Sequence, residues 1–126
     1  MSLRRNLADT QGATIVEFAF VAPILLMILW GGINLSMLGF SAANLRYATE
    51  EAARCAAVRT TVCSNADETR AYASANFNAI TSAQATFVAA MAESCGKQVD
   101  GSLDFVVQTG VGSVMIPLTA TACFPQ

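Results

Sequence analysis

The sequence predicts an α+β fold: one long N-terminal transmembrane helix, then a second short helix and a small antiparallel β-sheet of about three strands. Three observations predict it. An uncharged, largely apolar run extends from Phe18 to Phe40, and all four cysteines come after it. Apolar and polar residues alternate in the last part of the chain, which is typical of strands with one buried face. The chain of 126 residues is long enough for only one small domain beyond the apolar run.

The apolar run predicts a membrane-spanning segment at about residues 15–40. As a helix, Phe18–Phe40 would be about 34 Å long at 1.5 Å per residue, which is enough to cross a hydrocarbon core of about 30 Å. The helix itself is predicted to start at Ala13 and to continue to about Val58. Pro23 has no backbone N–H to donate, so a bent or partly melted segment is expected there.

These features divide the chain into three parts. Residues 1–12 form a polar leader, residues 13–60 a long helical region, and residues 61–126 a water-exposed αβ domain. Arg4 and Arg5 precede the apolar run, and the first basic residue after it is Arg46. Positive charge before a span favours a cytoplasmic N-terminus. The domain is therefore expected on the outer side of the membrane, where an oxidising environment permits disulfides.

The second helix is predicted after a short loop. Ser64 or Asn65 can cap a helix that runs from Ala66 to about Phe77 or Ala79, because both side chains accept hydrogen bonds from free backbone N–H groups. Two acidic residues fall in its first turn, where the helix dipole favours negative charge.

Three strands are predicted after this helix. Residues 98–108 and 113–122 alternate clearly, and residues 109–112 form a glycine-containing turn between them. Residues 85–93 are alanine-rich and fit a helix on propensity alone. The sequence of residues 86–88 and the strands that follow favour a strand there instead. The apolar side chains that share one face of the 98–108 strand are Leu103, Phe105 and Val107.

The four cysteines predict two disulfides. Cys95 and Cys123 would meet at one end of the predicted sheet, and Cys55 and Cys63 flank the loop between the two helices. We favour these two bridges, with the two other pairings left open. Chain-entropy estimates give about 2.5 kcal/mol for the shorter loop and about 3.5 kcal/mol for the longer. A metal site is disfavoured, because the chain has neither a C-x-x-C pair nor a histidine.

The composition excludes most catalytic chemistry. Without histidine, nucleophile–histidine pairs are impossible, and we expect no enzyme activity and no cofactor. Gly110–Ser113 lacks the lysine of a phosphate-binding loop and is interpreted as a structural turn. Asp100 and Asp104 are interpreted as a solvated strand edge. The net charge is −2, without a basic stripe, so nucleic acid is not expected as a partner.

One carboxylate lies where apolar residues are expected. Glu17 directly precedes the apolar run, and the five basic residues that follow Gly12 all lie beyond that run. An ionisable residue at membrane depth is costly without a partner and is by default a functional residue. Glu17 therefore predicts that the helix packs beside other chains.

At these residues the chain resembles the TadE-like pseudopilins of the tight-adherence (Tad, Flp-type) pilus, a type IV-like system. Residues 11–23 resemble the N-terminal signature of that family, and residues 51–58 are similar to its helix end. The resemblance implies a type IV pilin-like fold. It also implies cleavage between Gly12 and Ala13 by an aspartic prepilin peptidase, which would make Glu17 the fifth mature residue.

The resemblance further implies how the subunit assembles. Glu17, Phe18 and Pro23 would be the pairing residues, with Glu17 bound to the new N-terminal ammonium of a neighbouring subunit. The implied partners are the prepilin peptidase, other pilins and pseudopilins through the N-terminal helix, and the inner-membrane assembly platform. The implied location is the inner membrane, single-pass, with a periplasmic domain. Incorporation into the extracellular pilus is left open.

The expected function is that of a minor pseudopilin in biogenesis of the Tad pilus, which serves surface adherence. One alternative is an uncleaved, single-pass periplasmic binding module, which would have no use for Glu17. Another is a secreted disulfide protein cut near Ala43. It is disfavoured because the apolar run is much longer than the ~7–15 residues of a signal peptide.

Overall fold

The computed structural model describes residues 9–78, 83–110 and 112–125, and its side chains from Thr14 onward. The predicted leader therefore lies mostly outside the described residues. The chain divides into two compact units, one up to Leu35 and one from Ser36 onward. The layout confirms the predicted α+β fold. Its elements are helix α1 (Asp9–Val58), helix α2 (Ala66–Asn76) and strands β1 (Thr86–Glu93), β2 (Gly96–Gln108) and β3 (Ser113–Phe124).

Helix α1 is longer and more regular than the sequence predicted. It begins at Asp9, four residues before the predicted start at Ala13, and ends at Val58 as expected. It passes through Pro23 without interruption, so the expectation of a partly melted segment there is wrong. The φ angle of proline is itself helical, and only one hydrogen bond is lost. The alanine, isoleucine and leucine residues on either side have sufficient helix propensity to continue the helix.

Helix α2 begins at a reciprocal cap. Of the two predicted caps, Asn65 is the one used, and its side-chain oxygen accepts the N–H of Glu68 at 2.9 Å. The Glu68 carboxylate in turn accepts the Ser64 hydroxyl at 2.7 Å and the Ser64 N–H at 2.9 Å. The Ser64 hydroxyl and then its N–H lower the pKa of Glu68. The helix ends at Asn76; Ala79, the later predicted end, lies outside the described residues.

The sheet is antiparallel in the order β1-β2-β3. The strand preferred for residues 85–93 is confirmed, and the helical alternative for that segment is wrong. Strands β2 and β3 pair along their whole length, from Lys97 opposite Phe124 to Gln108 opposite Ser113. Strand β1 pairs with β2 only as far as Ser102. The far end of the β2–β3 hairpin consequently extends beyond β1 as a two-stranded ribbon.

The core of the second unit forms where the sheet packs on the last part of α1. Leu45, Ala48 and Ala52 from α1 cluster with Val99 and Leu103 from β2, and all five are buried. Small alanine side chains on the helix permit a close approach of the sheet. Of the face predicted for β2, the first two residues are buried and the third is half-buried. These are Leu103, Phe105 and Val107.

Both disulfides form, with the favoured pairing. Cys55–Cys63 joins the end of α1 to the loop before α2, with a Cα–Cα distance of 5.8 Å. Cys95–Cys123 joins the β1–β2 turn to the end of β3, with a Cα–Cα distance of 6.1 Å. The first bridge lies in a small second core together with Ala56. The two bridges therefore fix the end of the unit that is farthest along α1.

Gly101 marks the closest approach between the sheet and the helix. A Cβ at this position would lie 2.8 Å from Thr49 Oγ1 and 3.0 Å from both Leu45 Cδ1 and Phe87 Cε1. All three of these side chains are buried. The neighbouring groups have little room to move, so the absence of a side chain is what allows β2 to pack on α1 here.

We therefore expect Gly101→Ala to lower the free energy of unfolding by about 1–3 kcal/mol, the usual cost of overpacking a core. Gly112→Ala is the matched control, because a Cβ there has nothing within 4 Å and φ is not positive. Denaturant unfolding of the full chain in detergent micelles, followed by circular dichroism, measures both variants. Equal stability of Gly101→Ala and the unaltered chain would contradict this account of the core.

Candidate functional site

The candidate site lies on the first part of α1, within the first compact unit. Gly12 and Ala13 are in the helical backbone, and the described side chains begin at Thr14. Glu17 is exposed, and Phe18 beside it is 72% exposed. Pro23 lies inside the helix. Residues 12–23 of α1 thus include all the residues predicted to take part in cleavage and pairing.

The surroundings of Glu17 on the helix are uncharged. The described residues one turn away are Thr14, Phe20 and Val21, and the last two are 70% and 60% exposed. Side chains at these spacings are the nearest neighbours on a helix surface. The carboxylate therefore projects from an uncharged, largely apolar surface that no other described part of its unit covers.

Glu17 has no cationic partner among the side chains that the structure describes. The two ion pairs found there are Glu51–Arg59, at 3.0 Å, and Asp67–Arg70. Both lie in the second unit and are at least partly exposed, where such pairs contribute little to stability. The charge on Glu17 thus remains uncompensated within the described chain.

The helix around the site is a candidate membrane anchor. One helix, within Thr14–Val58, is long and apolar enough to cross a membrane, and its most apolar window has a mean hydropathy of 2.1 and is 0% buried. Exposed apolar surface of this extent marks a membrane or protein contact. Residues of this surface that are 60% exposed or more include Ile24, Leu26, Met27, Ile28 and Trp30.

The described residues offer no grouping suited to metal binding. Among them, no three His, Cys, Asp or Glu side chains lie close enough together to hold a metal ion. All four cysteines are in disulfides, so their thiols are not free to act as nucleophiles. The expectation that the chain is not an enzyme stays a prediction.

An apolar helix that is a candidate membrane anchor, followed by a disulfide-bonded αβ domain, is consistent with a membrane-anchored pilin-like protein. The family model described as TadE-like protein matches residues 12–54, a segment that contains Gly12, Glu17 and Pro23. Over that segment, about a third of the chain, the sequence is similar to TadE-like proteins, which supports the resemblance and suggests a connection with the Tad pilus system. Comparisons with curated proteins and with solved structures gave no match.

One exposed apolar surface, at the end of the β2–β3 hairpin, was not predicted from the sequence. Val106, Val114 and Met115 are 46%, 52% and 67% exposed there. A signal was present, since the sequence has no charged residue after Asp104. The register of the hairpin, which decides that these side chains gather at its end, could not be read from the sequence.

Proposed function

We propose that the protein is a minor pseudopilin of the Tad pilus, cleaved between Gly12 and Ala13 and assembled through the N-terminal part of α1. The observation that carries this proposal is the carboxylate of Glu17 on an uncovered apolar helix surface. A plain membrane anchor gains nothing from such a group. A subunit that must recognise its neighbour in an apolar environment gains a specific ionic contact from such a group.

The carboxylate of Glu17 needs a positively charged partner in an apolar environment. A charged side chain in a membrane helix is costly, up to about 2.5–3.5 kcal/mol at the centre of the span on insertion-based scales, so a compensating positive charge beside Glu17, near one end of the span, is favoured. Cleavage after Gly12 would create such a charge, the α-ammonium of Ala13. The ammonium lies four residues before Glu17, about 6 Å along the axis at 1.5 Å per residue. A neighbouring helix displaced by about one turn would bring its ammonium level with this carboxylate.

The helical backbone at Gly12 bears on the proposed cleavage. A peptidase must open the helix locally to reach the peptide bond between Gly12 and Ala13. Glycine disfavours a helix by about 1 kcal/mol relative to alanine, which lowers the cost of that opening. Because glycine has no side chain, the backbone at Gly12 also suits a narrow cleft in the peptidase. The segment after the cut begins with alanine, so the mature chain would start with a residue of high helix propensity.

The rest of the chain supports the proposed topology. The two disulfides lie in the second unit, and disulfides persist in oxidising compartments such as the bacterial periplasm. The arginines at positions 4 and 5 favour a cytoplasmic N-terminus. We therefore assign the domain to the periplasm and the span to the inner membrane. The proposed role is structural, in pilus assembly for surface adherence, with other pilins, the peptidase and the assembly platform as partners.

Processing is tested by N-terminal sequencing of the protein recovered from cells with an intact Tad system. The proposal predicts a mature chain that begins at Ala13. Gly12→Val should block cleavage because its side chain fills the space that glycine leaves to the peptidase. Gly39→Ala, where a Cβ would have nothing within 4 Å, should be processed normally. A chain that begins at Met1 or Ser2 would instead support the uncleaved anchor, and a start at Asn44 the secreted protein.

Pairing is tested by Glu17→Gln, which removes the charge and retains the shape. Insertion and cleavage should be unchanged, but association with other pilus subunits should weaken by roughly 10²–10⁴-fold. That range corresponds to the ~3–5 kcal/mol cost of leaving one partner of a buried ion pair unpaired. Glu50→Gln, an exposed carboxylate in the second unit, is the control. Co-purification with other pilus subunits measures both variants. Normal association and piliation in Glu17→Gln would refute the pairing role.

A further inference from the structure

Strand β3 leaves one edge of the sheet without a neighbouring strand. It is last in the order β1-β2-β3, and among the described residues its only strand partner is β2. Such an edge exposes backbone N–H and C=O groups that can pair with another chain. Proteins commonly protect an edge with charged side chains, proline or a bulge. β3 carries no charged residue and pairs with β2 in unbroken register, so Pro117 is its one protective residue.

The register of the hairpin shows which backbone groups point outward along this edge. The Thr109 N–H donates to the Gly112 carbonyl at 2.9 Å, so these two residues form a hydrogen-bonded pair of the antiparallel ladder. Hydrogen-bonded and non-hydrogen-bonded pairs alternate from there along the unbroken register. Residues of β3 in the non-hydrogen-bonded pairs direct their N–H and C=O groups away from β2. These residues are Ser113, Met115, Pro117, Thr119, Thr121 and Cys123.

The position of Pro117 agrees with this assignment. Proline has no N–H, and within sheets it is found on edge strands with its nitrogen facing away from the ladder. Beyond Pro117, the backbone N–H and C=O groups of Thr119, Thr121 and Cys123 all point outward. This half of β3 is therefore the part that can accept a further strand.

A groove runs between this half of β3 and the flank of α1. Its first half, of about 290 Å³, is lined by Arg46 and Glu50 of α1 and by residues 119–121 of β3. Its second half, of about 420 Å³, is lined by Glu50 and Arg54 among other α1 residues and by residues 121–124 of β3. Glu50 lines both halves, so the two hollows are continuous. We call the whole the edge groove.

The two walls of the edge groove run in the same direction and over similar lengths. From Arg46 to Arg54, α1 advances about 12 Å at 1.5 Å per residue. From Thr119 to Cys123, β3 advances about 13 Å at ~3.3 Å per residue. A strand added to β3 would lie about 4.8 Å from it, beside the flank of α1. The groove therefore has the length to hold about five residues of an extended chain.

The α1 wall of the edge groove carries three charged side chains. Arg46, Glu50 and Arg54 are exposed, and they take part in neither of the ion pairs found among the described side chains. They follow one another at intervals of four residues, or about 6 Å along the helix. Side chains on one face of a strand recur every two residues, or about 6.6 Å. An added strand can therefore place one side chain beside each of the three charges.

We propose that the edge groove binds an extended segment of another protein as an added strand, with acidic side chains beside Arg46 and Arg54 and a basic side chain beside Glu50. Backbone hydrogen bonds along the edge of β3 supply the affinity, and the charges select the segment. Strand β3 of a second copy does not fit, because it carries no charge. The groove lies in the second unit, so this binding goes beyond the proposed function and does not depend on cleavage of the leader.

Two palindromic peptides test the proposal on the full chain in detergent micelles. The first, acetyl-TEVKVET-amide, presents acidic, basic and acidic side chains on one face in either strand direction. The second, acetyl-TKVEVKT-amide, reverses these charges. Hydrogen exchange of backbone amides, followed by NMR, reports strand addition, and fluorescence polarisation of labelled peptides gives their affinities. The first peptide should slow exchange at Thr119, Thr121 and Cys123 by about tenfold or more and leave Ser113 and Met115 unchanged.

Two variants separate the backbone contribution from the charges. Thr121→Pro removes one outward N–H and should weaken binding of the first peptide by about 2–10-fold, as expected for one hydrogen bond. Met115→Pro is the matched control, because it removes an N–H of the same kind outside the edge groove. Arg46→Glu combined with Arg54→Glu should reverse the preference between the peptides by roughly 2–30-fold, the modest effect of exposed ion pairs. Circular dichroism and intact disulfides establish that each variant is folded.

The outcomes distinguish strand addition from its alternatives. Protection of the edge amides by the first peptide, with the preference reversed in the double variant, would support the proposal. Unchanged exchange with both peptides would overturn it, and so would equal affinity of the unaltered chain for the two. Dimers that form without peptide, and that are lost in Thr121→Pro but not in Met115→Pro, would assign the groove to a second copy and also overturn it.

Discussion

The proposed assembly depends on one charge on an apolar helix, the carboxylate of Glu17, for which no cationic partner lies among the described side chains. Glu17 lies on a surface whose neighbouring side chains are exposed and uncharged, and it takes part in neither ion pair of the described side chains. A buried pair adds little net stability compared with apolar packing, but losing one partner is costly. In the proposed assembly, Glu17 would therefore select the register of neighbouring helices more than it would strengthen their association. The same helix continues past Ser36 and becomes the support on which the domain is built.

The contacts that hold the domain to this part of α1 differ from one end of the domain to the other. At one end, two disulfides and a small core secure the loop, α2 and the sheet corner. In the middle, Gly101 allows β2 to pack directly on Leu45 and Thr49. At the other end, β2 and β3 continue beyond their last pairing with β1, and Val106, Val114 and Met115 are exposed there.

Much of this was predictable from the sequence because local signals were strong. The uncharged run, the Asn65 cap and the alternation over 98–108 each act through neighbouring residues. The strand at Thr86–Glu93 was harder, because its alanines fit a helix and only pairing with β2 decides between the two. The expectation of a partly melted segment at Pro23 was wrong, because the helix propensity of its neighbours is enough to continue the helix through it. The exposed apolar residues Val106, Val114 and Met115 were missed because their grouping at the end of the hairpin depends on register. The proposed pairing role of Glu17 depends on other chains and rests on the physics of the charge, not on the fold.

The central claim is that Glu17 meets the ammonium of Ala13 from another subunit. A membrane-permeable carbodiimide tests it directly, because this reagent joins a carboxylate to an amine in contact without adding a spacer. Assembled material treated with the reagent and analysed by mass spectrometry should contain a peptide in which Ala13 of one chain is joined to Glu17 of another. Mixing isotopically labelled and unlabelled subunits distinguishes this product from a link within one chain, and Glu17→Gln should abolish it. A link formed only within single chains, or none at all in assembled material, would contradict the account.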